Sequence, residues 1–176
     1  YHMMFTYDGT DGFWYRNGTE VATPSFDYTF NYEQTDPVTI GAHKDASWFD
    51  GVVDEVRVSN IQRSASWVKL CYENQRENDA LVDIENYADW GDSTKLYLNT
   101  STSGANITED QILFPVLIRL DPDNFSDFAA IANDGADVRF AKADGTHLPY
   151  EIERWVDNGS NLDTAAIWVL VDTVYG

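Results

Sequence analysis

The sequence predicts an all-β protein, an antiparallel β-sandwich with one short helix near residues 64–74. Three observations carry that prediction. Aromatic residues make up 14% of the 176 residues, while runs of strong helix formers are scarce. Short β-prone runs recur between clusters of Gly, Pro, Asn and Asp, which suits a sandwich better than a parallel sheet. Hydrophobic residues reach 43%, enough apolar surface for a packed core.

The elements follow in order. His2–Tyr7 is β-prone and closes at Asp8-Gly9, with a second turn signal at Asp11-Gly12. Phe13–Arg16 runs into Asn17-Gly18, a strong hairpin signal because both residues tolerate positive φ, and Glu20–Thr23 is the return strand. A looser stretch with Pro24 and Pro37 leads to a short strand at Val38–Ala42. Asp50-Gly51 opens Val52–Val58, where Val52, Asp54, Val56 and Val58 share one face of a predicted strand. Trp67, Leu70 and Cys71 then recur at helical spacing, with Ser64 or Ser66 as N-cap. That stripe is expected to pack against the first β unit.

The polar run Gln75–Asp79 reads as a linker and sets a boundary near Glu77, dividing the chain into residues 1–76 and 77–176. Thr94–Leu98 alternates as a strand. Ile112–Leu120 is the most apolar run and reads as a central strand, with Pro115 at a bulge or near its start. Phe125–Ala132 reads as one or two helical turns. Asp137–Phe140, Tyr150–Trp155 and Ala166–Val171 read as three further strands.

Composition narrows the function. Eleven Lys and Arg against 30 Asp and Glu give a net charge of −19, which repels phosphate backbones and excludes nucleic acid as a partner. No run of eighteen apolar residues exists, so no membrane span is expected. Tyr1–Met4 has neither the basic region nor the apolar region of a secretory leader. Cys71 is the single cysteine, so an intramolecular disulfide is impossible. On its apolar stripe it reads as an inert core thiol. His2, His43 and His147 lack zinc-ligand spacing. Nucleophile elbows, phosphate loops and dinucleotide fingerprints do not occur. Five Asn-x-Ser/Thr sequons, at Asn17, Asn99, Asn106, Asn124 and Asn158, read as turn chemistry.

Four stretches carry a resemblance: Tyr7-Asp8-Gly9, Tyr15–Val21, Ile40-Gly41-Ala42 and Phe49–Val58. In order and spacing they resemble the last strands of a LamG-like domain, the concanavalin A-like jelly roll of lectins and glucanases. The resemblance covers about residues 1–75, and Arg63–Trp67 with Tyr72–Gln75 is similar to the closing helix of such domains in bacterial surface proteins. Phe114–Leu120, Gly135–Phe140, Leu148–Trp155 and Ala166–Val169 resemble a bacterial domain of unknown function that often neighbours LamG-like domains. A jelly-roll-like sandwich in each part is what these resemblances imply. A whole LamG-like jelly roll has about twice the strands of residues 1–75. The chain therefore reads as a window of a longer one, and Phe5, Val56, Leu117 and Ile167 are expected to need cover from outside a single unit.

Candidate site residues follow from what sugars need, namely flat apolar rings beside polar groups. Trp48 and Trp90 lie in polar, turn-like contexts and lead the set, followed by Trp14, Tyr15 and Trp155. Trp168 lies within an apolar strand and reads as core. Asp8 and Asp11 are the first choice for calcium, which prefers close-spaced oxygen ligands, although Asx turns explain the same pattern. No cofactor is otherwise required. Related glucanases carry a Glu-x-Asp-x-Glu strand. Here Val82–Glu85 has Leu81 at the nucleophile position, and Glu151 with Glu153 reads as a solvated strand face.

These readings converge on a non-catalytic module that binds a polysaccharide or glycoprotein at the bacterial cell surface or outside the cell. Other copies or segments of the parent surface protein are further expected partners. A structural spacer is the rival, and a glycoside hydrolase the third choice.

Overall fold

A computed structural model describes residues 1–25, 39–43, 47–84, 93–125, 128, 131, 133–157 and 163–176. The protein is mostly β, its sheets are antiparallel, and one short α-helix occurs among the described residues.

β1 (Met3–Tyr7), β2 (Gly12–Arg16) and β3 (Thr19–Ala22) form a meander. Asn17 and Gly18 join β2 to β3 with φ of 51° and 73°, the two positive values that a twist-matched two-residue hairpin demands. Gly18 lies against the helix, and a Cβ there would come within 3.1 Å of Tyr72 side-chain carbons. β4 (Ala42–His43) and β5 (Ser47–Trp48) form a two-residue ladder. Val38 lies outside the described residues.

The Val52–Val58 strand does not form. Residues 52–59 have no regular structure and all are exposed, with Val52 and Val58 each 93% accessible. Alternation supplies a face, but a strand also needs a ladder partner for its N–H and C=O groups. Glu55, with φ of 54°, interrupts the extended backbone as well.

α1 (Ala65–Gln75) forms as the sequence predicts, with Ser64 as its cap; the Ser64 hydroxyl oxygen accepts a hydrogen bond from the Trp67 N–H at 3.1 Å. Trp67, Leu70 and Cys71 are buried. Their buried neighbours, however, belong to the second half of the chain; from the first β unit only Met4 packs against this cluster among the described residues. Trp67 meets Phe114 edge-on at 4.8 Å between ring centroids.

β6 (Val82–Ile84) pairs with β7 (Leu96–Leu98). β8 (Gln111–Leu120), β9 (Tyr150–Val156) and β10 (Thr164–Val174) form a sheet in the order β8-β10-β9. β8 is therefore an edge strand, and β10 is central. The edge is closed by a side chain. Asn74 of α1 accepts from the Leu117 N–H at 2.6 Å and donates to the Leu117 carbonyl at 3.0 Å, as a neighbouring strand would. Pro115 lies two residues from Leu117, so its missing N–H also falls on the outward side and removes no bond to β10.

One face of this sheet, with Phe114, Val116, Ile118 and Leu120 from β8 and Ala165, Ile167 and Val169 from β10, is the core. Leu81, Phe125 and Phe128 complete it with α1. Ile167 in this core and Leu117 on the opposite face are both buried within this chain, whereas Phe5 (37% accessible) and Val56 (51%) stand open. Residues 137–140 form no strand; the Tyr150 hydroxyl donates to the Val138 carbonyl at 2.7 Å. Of the predicted turns at 125–132, only Phe125, Phe128 and Ile131 are described.

Candidate functional site

The predicted aromatic residues scatter. Trp48 ends β5 and is 78% exposed, and Trp14 on β2 is 42% exposed with its ring 4.8 Å from Phe5. Tyr15 points to the opposite side of β2 and is buried, so it offers no ring face. Trp155 packs against Gly135 and Phe128, and its indole N–H is buried with no partner among the described residues. It is a wall of the core. Trp90 lies outside the described residues. No ring contact joins Trp14 to Trp48 among the described residues.

Asp8 closes an Asx turn. One of its oxygens accepts from the backbone N–H of Thr10 and of Asp11, each at 2.8 Å. Those bonds, Asp11's first, hold the Asp8 carboxyl below the ordinary aspartate value. Asp11 accepts from the Ser25 hydroxyl at 2.8 Å. Both side chains thus serve local turns, and no group of three His, Cys, Asp or Glu side chains suited to a metal occurs among the described residues.

The carboxylate motifs also find structural places. Leu81, at the position where a nucleophile would stand, is fully buried in the core. Glu85 lies outside the described residues. Glu153 accepts from the Trp168 indole N–H at 2.6 Å. Burial pushes the Cys71 thiol up to about 11, which suits an inert core group.

A deep recess lies elsewhere, and no sequence reading located it. A cleft of about 840 Å³ runs between the second face of the β8-β10-β9 sheet, the C-terminal half of α1, residues 54–57 and the start of the chain. Four of the chain's seven arginines line it: Arg57, Arg76, Arg119 and Arg154.

The sheet sets their spacing. Ala166 on β10 pairs with Arg119 on β8 and with Arg154 on β9, so the small alanine lies between two arginines. Two strands on either side of a third are about 9.5–10 Å apart. In the neighbouring row Trp168 pairs with Leu117 and Glu151. Trp168 is therefore not core; it stands on the cleft face, with the Arg57 guanidinium 4.5 Å from its ring centroid.

The arginines differ in what holds them. Arg119 donates to the Asn74 and Gln75 carbonyls at 2.7 and 3.1 Å, which satisfies the end of α1 and places positive charge at its negative pole. Arg76 pairs with Glu73 at 2.7 Å, and Arg57 with Glu55 at 2.8 Å. Arg154 is exposed and has no hydrogen bond or ion pair among the described residues. His2 lies at the rim. Burial first, and then Arg57, lower its pKa below the ordinary histidine value.

The signal for this cleft was the register, which local patterns do not encode. Arginines at 119 and 154 and an alanine at 166 become one row only once β8, β10 and β9 are paired.

Residues 1–69 match a laminin G-type family model described as the concanavalin A-like lectin/glucanases superfamily. No curated protein and no solved structure matches the chain. The match ends within α1, so it covers the meander, the β4–β5 ladder and the irregular segment before the helix. It is a similarity of that part of the chain to lectins and glucanases, and no helix among the described residues is long and apolar enough to cross a membrane.

Proposed function

We propose that the protein is a non-catalytic carbohydrate-binding module of a secreted or surface-anchored bacterial protein. The observation that carries this reading is the lectin/glucanase-type match over residues 1–69 together with two solvent-facing indoles, Trp14 and Trp48, within those residues. An exposed tryptophan face is a platform for the C–H side of a sugar ring. A binding role, not hydrolysis, is supported by Leu81 in the core and by Glu153 held against Trp168. Residues 77–176 are proposed to be the accompanying domain of unknown function, and the location outside the cell goes with the same family reading.

A screen of the whole chain against immobilised polysaccharides tests the proposal. Binding that falls at least tenfold in Trp48→Ala or Trp14→Ala is the expected result. No binding to any polysaccharide, or binding indifferent to both variants, refutes the platform and turns the reading to a structural spacer.

A further inference from the structure

We infer that the cleft beside Ala166 is a binding site for a carboxylate-bearing small ligand, separate from the indole platforms of the first β unit. The chain carries 30 acidic and 11 basic residues, yet four of its seven arginines open onto one recess. In a molecule of net charge −19, a guanidinium has carboxylates on every side to pair with. Arg154 nevertheless has none among the described residues and extends from the strand beside Ala166.

The shape fits an anion. Ala166 leaves a hollow between the Arg119 and Arg154 positions, where any larger side chain would fill the floor. Arg119 is locked in place by two carbonyls of α1 and by the Asp79 carboxylate 3.6 Å away, so it frames one wall of the hollow and leaves Arg154 as the guanidinium free for another acceptor. Arg57 adds a third guanidinium, 4.5 Å from the Trp168 ring centroid. Its partner Glu55 and the neighbouring Asp54, which also line the cleft, belong to the irregular segment and not to the strands that carry Arg119 and Arg154. Glu153, the one carboxylate beside Arg154 in sequence on β9, is engaged by the Trp168 indole N–H. A carboxylate accepts paired N–H bonds from a guanidinium in a fork geometry that a neutral hydroxyl cannot reproduce. Leu117, Ala166 and Trp168 supply an apolar floor for the rest of such a ligand.

Two sources share this chemistry, an acidic sugar residue and a free organic acid. Calorimetry on the whole chain with trigalacturonate, its methyl ester and citrate separates them, and the Trp168 indole N–H resonance reports the location. The expected result is binding of trigalacturonate or of citrate that weakens about tenfold to a hundredfold in Arg154→Gln, the loss of one charge-assisted bond. Trigalacturonate binding with a weak methyl ester assigns the saccharide source; citrate binding alone assigns the free acid. Ala166→Leu fills the hollow and is expected to abolish either. Arg154 is exposed and unpaired, so an unchanged melting temperature in Arg154→Gln verifies the fold. Binding of neither anion at millimolar concentration, or binding that both variants leave unchanged, overturns the inference. Neither result touches the Trp14 and Trp48 platforms, whose failure is read with neutral polysaccharides.

Discussion

The β1–β3 meander and the β8-β10-β9 sheet each have three strands, and both are antiparallel. What they bury differs. In the meander Tyr15, Thr6 and Gly12 are buried, while Met3, Phe5, Trp14 and Val21 stand open. In the second sheet one whole face is closed by α1, Leu81 and two phenylalanines. The family match lies on the open sheet, and the closed sheet lies outside it. The buried core therefore lies mostly outside the matched residues, with Trp67 of α1 its member within them. Strand pairing alone does not make a core; the closed sheet has one because a helix and a hairpin cover it.

The largest expected effect sharpens that difference. Phe114→Ala removes a ring that is 1% exposed and is expected to cost about 3–5 kcal/mol. Phe5→Ala, at 37% exposure, is expected to cost about 1 kcal/mol or less. Urea titrations of both variants measure the contrast, and equal losses would break it.

Next comes the polar closure of the β8 edge. Asn74 is 1% exposed and satisfies both backbone groups of Leu117. In Asn74→Leu those groups are left buried and unpaired, at about 1–3 kcal/mol each. Asn74→Asp keeps the acceptor and loses the donor, so its expected loss is intermediate. If leucine proves as stable as asparagine by the same titration, the helix is held by apolar packing alone.

A smaller effect tests how the open sheet is attached. Gly18→Ala places a methyl group at positive φ and 3.1 Å from Tyr72, with an expected cost of about 1 kcal/mol or more. Gly9→Ala is the control, because its φ of 106° is also positive but nothing lies within 4 Å. Thermal melts of the two separate backbone strain from contact with α1. Equal shifts would show that the hairpin tip does not bear on the helix.

Much of the fold was legible where chemistry is local. Ser64 as cap, the stripe of Trp67, Leu70 and Cys71, and the Asn17-Gly18 hairpin each follow from a few neighbouring residues. The errors fall where a distant partner decides. Val52–Val58 has a strand's alternation but no strand beside it, and Ile112–Leu120 looks central because its edge is served by an asparagine 43 residues away in sequence. The candidate site was least legible. Tyr15 and Trp14 are adjacent and chemically alike, yet opposite faces of β2 send one inside and one out. Arg57, Arg119, Arg154 and Trp168 come from well-separated segments that only the sheet register and the packing of residues 54–57 bring together.

The smallest effect distinguishes the two regions by titration. Asp8, in the open meander, has a carboxyl held below the ordinary value of 3.8 by hydrogen bonds from the Asp11 and Thr10 N–H groups. Asp79, beside the closed sheet, has one held above 3.8, because burial outweighs the bonds it accepts from Leu81, Asn74 and Val82 and the nearby Arg119. The signs are opposite. A depressed carboxyl favours the fold above its unfolded value and loses that contribution as pH falls through its folded value. A raised carboxyl favours the fold below its unfolded value and loses that contribution as pH rises through its folded value. Acidification through the aspartate range therefore withdraws support at Asp8 and adds it at Asp79. Carboxyl carbon shifts followed by NMR from pH 6 to pH 2.5 read both groups in one sample. Asp79 is expected to protonate first, and Asp8 only after the ordinary aspartates. If the two titrate on the same side of 3.8, the difference in burial between the open and the closed region does not reach their ionisable groups.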